Sequence, residues 1–247
     1  MIRTVSRFAL AGLVLALGVS AARAEGDKDK PNPAAKKLNR DIGRHKEFLK
    51  RIEKSKGEGD VIFLGDSITH GWEGQKKIWD KYFGDFKPVN LGIGGDQTGH
   101  VLWRITDGKE LADLKPKAAV IMIGTNNTGG HSAEQIAGGI KAIIDELKSQ
   151  KPEIKILLLG VFPRAGAPKD VKVAPAEKLN PKIKAINEII AKYDDGKSVF
   201  YKDIGGKFLD ESGGLPRAIM PDLLHLSPKG YEIWAEAIKA DVEKLLK

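Results

Sequence analysis

Residues 61–72 read VIFLGDSITHGW. Four apolar residues run into Gly-Asp-Ser, then into a short polar stretch carrying a histidine. A continuous apolar run closed by glycine is the pattern of a strand buried on both faces. The run ends at Ser67, with Asp66 before it and His70 three residues beyond. Two readings are open at this point. A serine here caps the following helix by accepting from its free amides. Equally, it is a nucleophile held at a strand end, which needs a base within hydrogen-bond reach.

Outward from this stretch, short apolar runs recur at 88–91, 118–123, 154–162 and 198–202. Helical patterns lie between them, over 76–83, 98–107, 133–150 and 175–193. A further helix is expected over 38–54, where Leu38, Ile42, His45, Phe48, Leu49 and Ile52 fall near 3.6-residue spacing. Another is expected over 227–246, with Ser227 as N-cap and Pro228 in the first turn. Strands alternating with helices imply a parallel sheet covered on both faces. The stretch PRAGAPKDVKVAP, 163–175, reads as a surface loop of the same domain. Glycines and polar residues gather just after the strands, in GDS, GIGGD, GTNN and FPRAG. Ligands of an open α/β sheet bind outside the carboxyl ends of its strands, so the chemistry is expected on one rim.

The whole chain sets limits on this picture. Its 247 residues, 41% hydrophobic, suit one compact domain. Residues 1–24 pair Arg3 and Arg7 with an apolar run ending in Ala22-Arg23-Ala24, the pattern of a signal peptide cleaved after Ala24. Residues 25–36 are polar and Pro-bearing and read as a flexible linker, leaving 37–247 as the folded domain. The mature chain is therefore expected in the periplasm or secreted, with no stable membrane insertion after cleavage. The absence of cysteine excludes disulfides and thiolate chemistry. The formal charge of +8 becomes +5 without Arg3, Arg7 and Arg23 (8 − 3 = 5). The basic residues are scattered without interleaved aromatics, so no nucleic-acid partner is expected. His100 and His131 lack a second ligand at metal-binding spacing, and no metal is expected. GIGGD is not the dinucleotide fingerprint, no phosphate-loop motif occurs, and no cofactor is expected.

Three further segments carry candidate chemistry. In PDLLHLSPKGY, 221–231, Asp222 and His225 stand three apart before the last helix. In a compact turn that spacing lets the carboxylate hold the imidazole Nδ1–H, leaving Nε2 to take a proton. A loop histidine with a capping aspartate has the same sequence. In NLGIGGDQTG, 90–99, glycines permit close backbone approach, and an outward glycine N–H would stabilise a developing oxyanion or, equally, cradle a phosphate at a helix N-terminus. Asn126, at the end of the third strand, carries an amide able to donate to the same oxyanion, whereas Asn127 reads as a turn former. Asp66 is expected to bond local backbone and Asp96 to brace its loop. Arg104 and Arg164 suit either a substrate anion or surface salt bridges. Trp72, Trp103 and Phe162 are rim or core, with Trp72 placed to stack on a sugar.

Taken together and in order, GDS, the glycine of GIGGD, the asparagine of GTNN and DLLH resemble the four blocks of the GDSL/SGNH hydrolase superfamily. NLGIGGDQTGHVLWRI and IGTNN with AGGIKAII look especially like the catalytic subunits of platelet-activating factor acetylhydrolase and their bacterial relatives. The resemblance spans roughly 61–245, and the first block reads GDSI where the family has GDSL. It implies a flavodoxin-like three-layer α/β/α sandwich with a five-stranded parallel sheet. It also implies Ser67 as nucleophile, His225 as base and Asp222 as its orienting partner. The oxyanion hole would comprise the N–H groups of Ser67 and Gly95 and the side chain of Asn126. Ile68, Thr125 and Leu224 would border the acyl pocket beside Trp72, and a homodimer is implied as well. The expected activity is hydrolysis of short, acetyl-type esters through an acyl-enzyme, on a small ester or an acetylated glycan. The alternative is an exported carbohydrate- or lipid-binding module on the same fold.

Overall fold

The structure, a computed structural model, describes residues 31–247. The expected signal peptide, 1–24, lies outside the described residues. Seven strands are present among those described: β1 (Val61–Gly65), β2 (Pro88–Gly92), β3 (Ala118–Met122), β4 (Lys155–Leu159), β5 (Val173–Ala174), β6 (Val199–Lys202) and β7 (Leu215–Pro216). Five of them form one sheet in the order β2-β1-β3-β4-β6, and every pairing in it is parallel. The α-helices are α1 (Gly43–Lys54), α2 (Ser67–His70), α3 (Lys76–Phe83), α4 (Thr98–Ile105), α5 (Ala133–Gln150), α6 (Pro181–Ile190) and α7 (Pro228–Leu245).

Alternate strand residues point to opposite faces, and each face has its own helical cover. Ile62 and Leu64 of β1 join Ala119 and Ile121 of β3 and Ile156 and Leu158 of β4 beneath α1, α4, α5 and α6. Val61, Phe63, Val120, Met122, Leu157 and Leu159 face the other way, onto Phe83 of α3 and Trp234, Ile238 and Val242 of α7. The result is the flavodoxin-like three-layer α/β/α sandwich. All five residues of β1 and of β3 are buried, which explains why those runs are continuously apolar. The order in which strands are added reverses between β1 and β3, and the crevice at such a switch point is where doubly wound sheets bind ligands.

Local chemistry moved several boundaries from their sequence expectation. α1 begins at Gly43, with Ile42 exposed as its N-cap residue, because residues 31–40 follow a separate path over α4 and α5. There the linker expectation for 25–36 needs correction. Asn32 donates to the carbonyl of Gln135, and Ala34 is buried with its carbonyl accepting from Thr98 Oγ1 at 2.6 Å. Residues 31–36 are thus docked to the domain, and a small residue at Ala34 is what permits it. α6 starts at Pro181, not 175, because Asn180 caps it and proline belongs in a first turn. The 163–175 loop ends in β5, which pairs antiparallel with β7. Two-residue strands carry no periodicity from which to predict them.

Candidate active site

Three strand ends deliver the candidate residues to one place. β1 ends at Gly65, whose Cα lies against Thr69 and the carbonyl of Met122, leaving no room for a side chain. The chain then turns directly into α2. Asp66 is the N-cap, its Oδ1 accepting from the Ile68 N–H at 3.0 Å. Ser67 is therefore the first helical residue and not the cap. Its hydroxyl is free for another partner, and that partner is His225. Ser67 Oγ and His225 Nε2 stand 2.8 Å apart, across 158 residues of sequence. His225 Nδ1 lies 2.6 Å from Asp222 Oδ2.

The turn bearing the histidine is built by Asp222. Its Oδ1 accepts from the N–H groups of Leu224 and His225, at 3.1 and 2.7 Å, while Oδ2 takes the imidazole. Burial alone would raise the Asp222 carboxyl, but the contacts with His225 and the Leu224 amide hold it below the usual carboxylate range. The turn is tight enough to put Leu223 at φ +63°, in the left-handed region that non-glycine residues rarely occupy. Leu223 is buried beneath it.

The opposite side of the rim comes from the loops after β2 and β3. Gly95 has φ +80°, so it turns where other residues would be strained. A Cβ on Gly94 would stand 3.8 Å from Ser67 Cβ, which puts this backbone beside the nucleophile candidate. Asn126 Nδ2 donates one hydrogen to the Asp96 carbonyl at 2.9 Å, which orients the amide and leaves its second N–H available. Among the described residues, the N–H groups of Ser67 and Gly95 make no hydrogen bond. Three unspent donors thus come from the loops around Ser67.

Asp96 does brace this loop, through charges that are out of solvent. Its carboxylate accepts from Arg40 Nε at 2.7 Å and from Arg104 Nε at 2.8 Å. Arg104, wholly buried, also pairs with Glu110, which meets His45 Nδ1 at 2.8 Å. Arg40 Nη2 adds a bond to the Gly94 carbonyl at 2.6 Å. Arg104 is therefore neither a substrate contact nor part of a surface salt bridge. Arg164 faces inward too, its Nη1 lying 3.3 Å from both the carbonyl and the hydroxyl of Thr125.

The expected substrate-pocket residues divide. Leu224 is half-buried at the rim. Thr125 is buried and engaged by Arg164, and Ile68 is buried with its carbonyl accepting from Tyr231 at 2.7 Å. Trp72 corrects the expectation of a sugar-stacking surface. At 1% exposure it lies in an aromatic cluster with Trp79, Phe83, Tyr231 and Trp234, centroids 4.7 to 5.7 Å away. The five-residue step from Ser67 to Trp72 passes through a helical turn and carries the indole under the sheet rim. His70 lies 3.7 Å from Glu73, and burial with the neighbouring Arg44 lowers its basicity. Among the described residues it makes no hydrogen bond with Ser67, whose hydroxyl is engaged by His225. Arg40, Arg217 and Tyr231 support the site without having been singled out in the sequence, since a lone arginine or tyrosine outside a motif carries no signal.

Residues 63–233 match the GDSL-like lipase/acylhydrolase family. Platelet-activating factor acetylhydrolase IB subunit alpha2 of Rattus norvegicus is 37% identical over 190 residues, covering 77% of this chain and 78% of its own. The alpha1 subunit of Homo sapiens is 36% identical over 190 residues, covering 76% and 78%. Among solved structures, a GDSL-like lipase from Bacteroides thetaiotaomicron superposes with a TM-score of 0.64 at 23% identity, covering 81% of this chain and 97% of that one. An acetyl xylan esterase superposes with a TM-score of 0.58 at 24% identity, covering 74% and 98%. The match runs through strand ends, glycine loop, asparagine and histidine turn alike, and it decides against a binding module without catalysis. This chain belongs to the GDSL-like lipase/acylhydrolase family and is a serine esterase of the SGNH type.

Proposed function

We propose that the chain hydrolyses short-chain carboxylic esters, acetyl esters foremost, with Ser67 as nucleophile, His225 as general base and Asp222 as its orienting group. The observation that carries this reading is the unbroken relay of 2.8 and 2.6 Å from Ser67 through His225 to Asp222. His225 Nε2 takes the Ser67 proton as Oγ bonds to the ester carbonyl carbon. The carbonyl electrons move onto oxygen, which is held by the Ser67 and Gly95 N–H groups and Asn126 Nδ2. Collapse breaks the bond to the alcohol, which leaves with the proton from His225. Water then gives a proton to His225, attacks the acyl-enzyme and releases the acid, and Ser67 regains its hydrogen.

The preference for a short acyl group rests on the side chains around Ser67. Ile68, next to Ser67 in the chain, and Thr125, next to Asn126, are buried, and Leu224, next to His225, is half-buried. The acetylhydrolase names of the relatives at 36–37% identity point the same way. The sequence pattern of 1–24 adds export, and with it an acetylated glycan or small ester outside the cytoplasm as substrate. A homodimer belongs to the same reading. The test is p-nitrophenyl acetate turnover by Ser67→Ala, expected to fall by about 10⁶-fold with the fold intact by circular dichroism. Turnover within tenfold of the parent would overturn it. Acetyl release from acetylated xylan, pectin and an acetyl-glycerophospholipid, measured side by side, ranks the alcohols.

A further inference from the structure

The loop after β4 touches both halves of the site. From Arg164, the guanidinium reaches the Thr125 carbonyl and hydroxyl, one residue from Asn126. From Ala165, the N–H donates to the Leu223 carbonyl at 3.1 Å, between Asp222 and His225. Residues 164–165 therefore lie between the oxyanion loop and the histidine turn. The Ala165–Leu179 bridge and the β5–β7 pair hold the ends of this loop, and one guanidinium gathers its middle. Arg217 Nη2 donates to the carbonyls of Ala167 and Pro168, both at 3.1 Å, and Nε to that of Val171 at 2.8 Å. Arg217 Nη1 donates to the Pro221 carbonyl at 2.7 Å, directly before Asp222. The Arg217 N–H adds a backbone bond to Lys172. One side chain thus gathers the loop and fastens it to the base-bearing turn. A guanidinium is suited to this because its donors are planar, divergent and permanently charged.

The turn needs such a fastening. Asp222 and His225 are about half exposed, at 55% and 43% for their side chains, so solvent competes for the bond between them. Leu223, at φ +63°, adopts a conformation that persists only where neighbours hold it. Two bonds from outside the turn do so: Ala165 N–H to Leu223, and Arg217 to Pro221. We propose that Arg217 is a positioning residue, which with the 163–175 loop holds the Asp222–His225 turn against Ser67. The proposal rests on His225 being the base of the preceding section.

The experiment compares Arg217→Ala, Arg217→Lys and Ala165→Pro with the parent chain. The last removes the N–H that holds Leu223 and fixes φ at residue 165, while leaving the Arg217 side chain in place. Two readouts are taken: the rate of Ser67 labelling by a fluorophosphonate probe, and the downfield proton resonance of the His225 Nδ1–H to Asp222 bond. Expected for Arg217→Ala is labelling slowed about tenfold or more, with the downfield proton exchange-broadened and the amide spectrum still dispersed. Lysine, a single-point donor, should recover only part of the rate, and Ala165→Pro should resemble the alanine variant. If Arg217→Ala does not fold, the other two variants decide alone. Parent-like labelling and an intact downfield proton in the folded variants would overturn the proposal and leave Arg217 a loop staple. Failure of the underlying reading looks different: the parent is then not labelled, or His225→Ala is labelled as fast as the parent.

Discussion

The two sides of the candidate site are held by opposite means. The oxyanion side hangs on buried charge: Asp96, Arg104 and Glu110 have no solvent exposure, and they fix a glycine loop that could not hold itself. The base side is a surface turn made of Asp222's own hydrogen bonds, with a left-handed leucine at its centre and a guanidinium alongside. A buried pair costs several kcal/mol to break, whereas an exposed one contributes about 0–1 kcal/mol to stability. Stability and activity should therefore separate when the two sides are attacked. Damage to the base side should remove turnover and spare the fold, and damage beneath the oxyanion side should cost both.

The sharpest way to break this contrast is on the base side. His225→Ala is expected to lower kcat on p-nitrophenyl acetate by about 10⁴–10⁶-fold. Its urea midpoint should stay at the parent value, and a large drop in midpoint would contradict the division. On the other side, Glu110→Ala leaves buried Arg104 with Asp96, already shared with Arg40, as its one carboxylate partner among the described residues, and is expected to cost roughly 3–5 kcal/mol in urea unfolding. Glu110 lies outside the reaction, so a stable but inactive variant would be the surprise. Asn126→Ala tests the rim itself, with an expected loss of about 10²–10³ in kcat, little change in KM and a small change in stability.

The smallest effect concerns pH and sharpens the contrast at its boundary. Asp66, between the two sides, is fully buried; burial pushes its carboxyl from 3.8 up to about 7, with the charge of Asp96 adding and the Ile68 amide opposing. The folded form keeps its proton where the unfolded chain has lost it. Folding is therefore least penalised by this group below pH 3.8, and the penalty grows as pH rises to 7. The melting temperature should fall as pH rises across that window. Asp66→Asn keeps the acceptor that caps α2 and should flatten the fall. The same slope in that variant would mean another group is responsible.

Much of this was legible in the sequence where burial and periodicity coincide. Strands buried on both faces leave continuous apolar runs, so β1 and β3 were placed to within a residue. α5 matched its expected span because Ser132 and Gln135 form a reciprocal cap at its start. Ser67, Gly95, Asn126, Asp222 and His225 are expected from strand ends and a helix approach together with the family resemblance, and the structure brings Ser67, His225 and Asp222 within hydrogen-bond reach. The environment of those residues was another matter. Whether Trp72 faces a substrate or a core depends on the exit angle of a four-residue helix. Arg104 reads as a substrate contact or a surface salt bridge because nothing near it in sequence says that Asp96 and Glu110 enclose it. Arg217 was invisible because backbone carbonyls, its only partners, carry no residue identity.

The aromatic cluster under α2 has an optical consequence. Of four tryptophans, Trp72, Trp79 and Trp234 share that cluster, while Trp103 lies apart against His45. Trp72 packs at a tilt against Tyr231, whose hydroxyl donates to the carbonyl of Ile68, next to Ser67. Three of the four indoles therefore share one cluster that is joined by hydrogen bond to the helix beginning at Ser67. A change in intrinsic emission is the expected label-free signal of acylation at Ser67, and emission unchanged by a fluorophosphonate that labels the serine would contradict that coupling.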